Sequence, residues 1–419
     1  MKALLLLLTL AVCGWGQPPR LKGPSQVLDL ISVKDYGASG DGVTDDTVPI
    51  QNAINALIRR GGGTLTFPPG IYTLATVTTD AYGSHALLID GGLHVRLIGY
   101  GATLKYQSTD NLARALEIRG TGKSNIEGLA ITSANPGVGT GISLRRPTFS
   151  YHQPVADNAF RDLSIDGFNL GLEVGTAEGN QVSENVIQNI HLTNNRVHLV
   201  QSGASTFNIT YINLSFTGGS IPNQVFIDLE TGTATFIRPT LEAHNGTIGI
   251  VTGTGYVGPA SLLGLYAELT GDSTLVLKVL GSGSFISIRD SQISMFDNTG
   301  TAAYPIVKVD LSAAAGGSVI LEGTNLSNPD GGYKAIKLPA VAGPTITRVQ
   351  GYWSPQILYS GPLVPRVVTV SGTGIGAGAN GYSASGNTGM SVTNVVSGRD
   401  GNSCTMTFTG GLLTASTCH

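Results

Sequence analysis

The chain is short of charge. Its 419 residues carry 24 Lys and Arg against 27 Asp and Glu, 12% in all, for a formal net charge of −3. With no basic stripe there is no electrostatic footprint for a phosphate backbone, so nucleic acid is excluded as a partner. Aromatic residues make up only 6%, with two Trp, so many small apolar residues must build the core. Cysteine is rarer still, at three, and no His pair accompanies them, which excludes a structural zinc site. Beyond the first 16 residues no apolar run is long enough to cross a bilayer, so no membrane span is expected. Glycine, by contrast, is abundant at 58 residues. Together with Thr, Ser and Asn it suits many short strands and tight turns and few long helices. The length fits one large solenoid or two ordinary domains.

Residues 1–16 read MKALLLLLTLAVCGWG. Lys2, the apolar stretch 3–12 and the small residues Gly14 and Gly16 predict a signal peptide of bacterial style, and so a secreted or extracytoplasmic location. Cys13 follows Leu10-Ala11-Val12, but Val12 is too large for a lipidation box. Cys404 and Cys418 then remain, an even pair that in an exported chain reads as a disulfide. They flank 405–413, a hairpin with a Gly410-Gly411 turn, and closing it would add about 3 kcal/mol. Residues 17–31 form a linker, 32–362 a repetitive body and 363–419 a C-terminal β segment. The glycine-rich run 372–378 lacks the Lys and following helix of a phosphate loop. The sequons at Asn208, Asn213, Asn245 and Asn325 matter only in a glycosylating host.

The densest information lies in 33–75. Asp35-Tyr36-Gly37-Ala38 precedes a Gly40-Asp41-Gly42 turn, then Thr44-Asp45-Asp46-Thr47. Ile50, Ala53, Ile54 and Leu57 follow at i, i+3, i+4 and i+7, one apolar face of a helix. Pro49 is tolerated in its first turn, and Gly61 to Gly63 stop it. Asp45 or Asp46 is expected to cap that helix or stabilise the turn before it. The stretch 40–46 lacks the ligand spacing of an EF-hand, so no metal is assigned. Gly61-Gly62-Gly63-Thr64-Leu65-Thr66-Phe67-Pro68-Pro69-Gly70-Ile71-Tyr72 completes the block. In this order the residues resemble the N-terminal entry of the pectate-lyase-like superfamily, which includes rhamnogalacturonase-type and epimerase-like proteins and many phage tailspikes. The resemblance implies an all-β fold: a single-stranded right-handed parallel β-helix (solenoid) with an N-terminal capping helix and a C-terminal β segment, acting on a polysaccharide.

Short alternating strands at 129–131, 163–165, 190–192, 212–214, 240–241 and 265–267 recur at intervals that signal a solenoid. No helix-length periodicity separates them, which argues against βαβ units. The polygalacturonase-like motifs Asn-Thr-Asp, Gly-His-Gly and Arg-Ile-Lys and the mannuronan-epimerase string Tyr-Gly-Phe-Asp-Pro-His are absent, so no family site carries over. Position must serve instead. With Ile165, Leu192, Leu214, Leu241 and Ala267 aligned inward, the next outward residues are Asp166, Thr193, Ser215, Glu242 and Glu268. On the other side stand Ser164, His191, Asn213, Thr240 and Tyr266. Glu242 and Glu268 are then neighbouring carboxylates fit for acid–base work, with Asp166 a further candidate. Tyr266 would stack on a sugar, His244 assist proton transfer and Arg238 bind substrate. Asp162, Asp290 and Asp297 are lesser candidates, and Asp290 beside Arg289 reads as an exposed ion pair. His191 and His198 read as surface residues. A lyase would instead use Lys278 or Lys308 as base, with Ca²⁺ as cofactor; a hydrolase implies no cofactor. Two functions follow: an enzyme cleaving an extracellular, uronate-bearing or other polysaccharide, or a non-catalytic carbohydrate-binding, adhesive or tailspike-like protein that forms a homotrimer.

Overall fold

The computed structural model describes 30–311, apart from 147–153, 177–180, 204, 220, 245, 254–256, 272–273, 281–283 and 297–305, and beyond 311 chiefly isolated strands. The expected signal peptide, most of the linker, Asn245, Asp297 and the run 372–378 lie outside the described residues.

The chain winds as a parallel β-helix, each turn adding strands to two large sheets. Alternation puts every second side chain inside, and parallel register sets like on like. One inward column of the first sheet reads Leu65, Leu97, Ile126, Phe160, Ile187, Tyr211, Phe236, Leu262, Ile288. Another reads Tyr72, Leu104, Ile131, Ile165, Leu192, Phe216, Leu241, Ala267, Ile293. The second sheet contributes Leu87, Leu116, Ile142, Leu172, Leu199, Ile227, Ile250, Leu277 and Val309. All of these are buried, each stabilising by roughly 1.5–3 kcal/mol for a large side chain. Tyr211 and Phe236 stack with centroids 4.4 Å apart.

The two halves of the first sheet meet at a one-residue bend with a left-handed backbone. Asp162, Asn189, Asn213, Arg238, Gly264 and Asp290 occupy it on successive turns, with φ of 54°, 53°, 52°, 52°, 67° and 48°. Asn and Asp tolerate this conformation better than most residues, and here their side chains also link the turns. Asn189 Nδ2 donates to Asp162 Oδ1 at 2.9 Å and Asn213 Nδ2 to Asn189 Oδ1 at 3.1 Å. The bend corrects the expected strand at 212–214. It divides into Ile209–Ile212 and Ser215–Thr217, so the partner of Leu192 is Phe216, not Leu214. The alignment slips by two residues there, which keeps the faces but moves Asn213 off the outward column in favour of Ser215.

The helix Thr47–Arg59 closes the N-terminal end, with Ile50, Ala53, Ile54 and Leu57 fully buried. Asp46 stands at its N-cap but makes no side-chain cap bond. Its buried carboxylate instead accepts from the amides of Ser39 and Gly40, at 2.5 and 2.9 Å. Asp45 ties the helix start to the next turn, accepting from Thr47 N, Ala75 N and Thr76 Oγ1. Gln51 caps the second sheet: its Nε2 donates to Leu88 O at 2.9 Å and its Oε1 accepts from Leu88 N at 2.8 Å. The amide thus replaces the strand that is missing above the first rung. The first strand, Leu30–Ser32, takes in two residues expected in the linker. Val392–Ser397, Ser403–Thr409 and Leu412–Cys418 form a separate antiparallel sheet, with Cys404 opposite Cys418 in the backbone register. Their side chains lie outside the described residues. Among the described residues no helix is long and apolar enough to cross a membrane.

Replacing Gln51 by Ala strips Leu88 of both partners and is expected to lower stability by about 1–3 kcal/mol, measured by urea unfolding of the full chain.

Candidate functional site

Glu242 and Glu268 are register partners on the strands Thr240–Ala243 and Tyr266–Thr270. Both are exposed, with backbones about one rung, ~4.8 Å, apart. The Tyr266 hydroxyl donates to Glu268 Oε1, and that bond, ahead of desolvation and the Glu242 charge, raises the phenol above its ordinary value. The Tyr266 ring is 39% exposed. His244 is exposed, its Nδ1 3.1 Å from Thr270 Oγ1. Asp166 occupies the same outward column, but Thr193 and Thr217 intervene before Glu242. Three rungs put it about 14 Å away, where it accepts from Thr193 Oγ1 at 2.7 Å. Arg238 sits exposed at the bend, off the carboxylate column.

Two expectations fail on burial. His198, expected on the surface, lies in the core against Phe226, centroids 4.6 Å apart, with Nε2 3.0 Å from Thr217 O. Burial pushes its imidazole down to about 4. Lys308, a candidate lyase base, is buried with Nζ donating to Gly271 O at 2.6 Å and Thr274 O at 3.2 Å. An ammonium held by two interior carbonyls cannot reach a polymer on the outside. Lys278 is half-buried, in register with Asp310.

The second sheet carries a different set. One outward column runs Glu117, Ser143, Glu173, Val200, Asp228, Val251, Lys278. Beside its first rungs stand Asp90, Arg119 and Arg145. The hairpin of Thr78–Asp80 and Gly83–Leu93 adjoins this end. Asp80 grips Arg119 with both oxygens, at 2.5 and 3.2 Å, and the Tyr82 ring lies 5.2 Å from the guanidinium. Arg119 Nε also reaches Glu117 Oε1 at 2.6 Å, with Arg145 Nε 3.4 Å from the same oxygen. Arg119 and Glu117 are wholly buried, a state charges tolerate only when paired. His85 Nδ1 lies 3.7 Å from Glu117 Oε2, yet burial pushes its imidazole below the ordinary value.

Further along, Glu173 Oε2 accepts from Ser143 Oγ at 2.5 Å and from Arg114 Nε at 3.3 Å. Two rungs on stands Asp228, where burial, then the Glu230 charge and a hydrogen bond with Glu230, push the carboxyl up to about 7. Its Oδ1 is buried with no hydrogen-bond partner. Glu230 lies directly over Gly253, where a Cβ would come within 1.6 Å of Glu230 Oε2. The face thus carries a hydrogen-bonded carboxyl group at Glu173 and, two rungs on, a carboxyl at Asp228 that keeps its proton to about pH 7. Among the described residues no group of three His, Cys, Asp or Glu is placed to hold a metal ion.

Residues 30–86 match the family described as rhamnogalacturonase A/epimerase, pectate lyase-like. The match covers the N-terminal entry, and the coil that follows it is a parallel β-helix. Alginate lyase 7 of Azotobacter vinelandii is 42% identical over 73 residues, 17% of this chain and 8% of that protein. Plasmin and fibronectin-binding protein A of Streptococcus pneumoniae is 50% identical over 48 residues, 11% and 7% of the two chains. The chain therefore matches less than a tenth of the length of either relative. A mutant tailspike protein of E. coli bacteriophage HK620, solved in complex with a pentasaccharide, has a TM-score of 0.56 at 12% identity, covering 82% of this chain and 64% of that one. This last likeness shows the fold alone. The family match ends at residue 86, before Glu173, Asp228, Glu242 and Glu268.

Because folding raises the Asp228 carboxyl, the native chain binds more protons than the unfolded chain between about pH 4 and 7. Its contribution to stability therefore falls as pH rises through that window and levels off above it. Asp228→Asn is expected to gain on the wild type progressively from pH 4 to 7 and to hold that gain at pH 8, read by denaturant unfolding at each pH.

Proposed function

We propose that the protein is exported and hydrolyses glycosidic bonds of an extracellular polysaccharide along the outer face of the second sheet. One observation carries this reading: Asp228, protonated to about pH 7, shares an outward column with Glu173, whose Oε2 accepts from Ser143 Oγ and Arg114 Nε. Their backbones are two rungs, about 9.6 Å, apart, near the ~6.5–9.5 Å that separates the carboxyls of inverting glycosidases. Asp228 donates its proton to the leaving oxygen. Glu173 takes a proton from a water that attacks the opposite face of the sugar, and the anomeric configuration inverts. Afterwards Glu173 is protonated and Asp228 ionised, and exchange with solvent resets both. The names of the relatives, a lyase of alginate and a tailspike that holds a pentasaccharide, support a glycan as partner. The burial of Lys308 removes one of the two lysines that could serve a lyase as base. Export follows from residues 1–16, and the opposed backbones of Cys404 and Cys418 suit a disulfide.

The second reading is a non-catalytic adhesive or carbohydrate-binding protein, assembled as a trimer through the C-terminal sheet. The hydroxyl-rich outward column Thr132, Asp166, Thr193, Thr217 and the similarity to a plasmin- and fibronectin-binding protein favour it.

A polysaccharide panel with the mature chain decides. Reducing ends with an inverted product by NMR are expected, without ultraviolet absorbance from unsaturated ends. Asp228→Asn and Glu173→Gln should each lower kcat by about 10²–10⁴-fold, while Glu242→Gln and Glu268→Gln leave it intact. The reverse pattern with retained configuration would move catalysis to the exposed pair. New ultraviolet absorbance would indicate a lyase, and binding without cleavage the adhesive reading.

A further inference from the structure

We propose that Gln201 is a positioning residue that holds Glu230 against Asp228; the inference rests on the groove reading above. The inward column that contains it reads Ile89, Ile118, Leu144, Val174, Gln201, Leu229, Thr252, Val279. An amide in a mainly apolar column breaks the pattern that builds the coil, and such breaks concentrate where function demands them. Gln201 is 1% exposed, and every polar atom it has is engaged. Oε1 accepts from the Tyr211 hydroxyl at 2.9 Å. Nε2 donates to Thr231 O at 3.2 Å and Thr233 O at 3.3 Å. Its backbone carbonyl also accepts from Glu230 N at 2.8 Å, a ladder bond that does not depend on the side chain.

These bonds converge on one short segment. Glu230, Thr231 and Gly232 form the turn that leaves the second sheet, and Gln201 fixes it from within. Gly232 has φ +87°, and a Cβ there would come within 1.8 Å of Thr206 O and 3.2 Å of Gln201 Nε2. The turn is thus closed down on the amide. Tyr211, stacked on Phe236, anchors the other end of the amide in the core. From outside, Glu230 is limited by Gly253. Asp228 and Glu230 are two residues apart and project to the same face, so the turn geometry that Gln201 sets fixes where the Glu230 carboxylate stands relative to Asp228. Gln201 touches no reacting atom; it acts only through Glu230.

The test compares the full chain with Gln201→Met, Asp228→Asn and the double variant, by urea unfolding from pH 4 to 9. Methionine is close to glutamine in volume, so the core stays filled. The wild type minus Asp228→Asn difference isolates the Asp228 titration. In the Gln201→Met background that pH-dependent step is expected to move down by about one pH unit or to shrink by half or more, because a released Glu230 no longer opposes ionisation. Tyr211→Phe, which frees Oε1 and keeps the ring stack, is expected to move it less in the same direction and serves if Gln201→Met does not fold. An Asp228 step unchanged in midpoint and size, with stability lost equally at every pH, would mean a purely structural amide and overturn the proposal. Absence of the step in the wild type would overturn the groove reading together with it. Because no glycan is used, failure to find a cleaved polymer leaves the result readable.

Discussion

Parallel stacking at a fixed rung spacing governs this molecule. Once the register sets each inward residue over its counterpart one turn earlier, burial is shared along the whole coil. Leu65 to Ile288 in one column and Leu87 to Val309 in another succeed one another without a large cluster at any point. A chain with 6% aromatics can build a continuous core only by such repetition, since no single turn buries enough apolar surface to be stable alone. The same constraint forces the departures from regularity. A rung that carries Phe160, Tyr211 or Phe236 inward needs neighbours that accommodate it, and the stacked Tyr211–Phe236 pair meets that need on consecutive turns.

Backbone polarity is the complementary constraint, because a coil has bends and ends where the ladder stops. The bends are supplied with amides from the sequence itself. Asn158 accepts from Ser124 N at 3.0 Å and donates to Thr121 O at 2.8 Å. Asn185 repeats the role one turn on, accepting from Asn158 N at 3.1 Å. At the N-terminal end, Gln51 supplies both a donor and an acceptor to Leu88. Asp46 belongs to the same logic. Its place before a helix suggests a cap, but the amides left open by the Ser39-Gly40 turn claim it first, because a buried carboxylate without several donors would be costly.

Legibility in the sequence followed these constraints. The entry motif and the apolar face of the helix could be read directly, since Ile50, Ala53, Ile54 and Leu57 obey a local period. The coil could be read from the recurrence of strands, and the register of Glu242 with Glu268 from their equal offset to Leu241 and Ala267. Asn213 misled because a single left-handed residue is invisible to a period-two pattern, and Leu214 is as apolar as the Phe216 that takes the position. The second sheet went unread for a related reason. Leu170–Val174, Val197–Gln201 and Val225–Leu229 alternate like the strands of the first sheet, but one strand per turn already accounts for a solenoid repeat. Their outward residues Glu173 and Asp228 were therefore never aligned. His198 and Lys308 illustrate a third limit: whether a polar residue points inward depends on a register that its own letter does not disclose.

The Glu242–Glu268 and Asp228–Glu230 pairs differ in what surrounds them, and this difference supports the proposal of Asp228 as the acid. Glu242 and Glu268 stand in water on a flat face, where each carboxylate is solvated and repulsion is screened. Asp228 is drawn partly out of water on the same face as Glu230, so its ionisation is penalised. A carboxyl that keeps its proton near neutral pH can donate it to a leaving oxygen. The difference depends on inward residues as much as outward ones, because the apolar column yields to an amide at Gln201, and that amide sets the turn on which Glu230 sits.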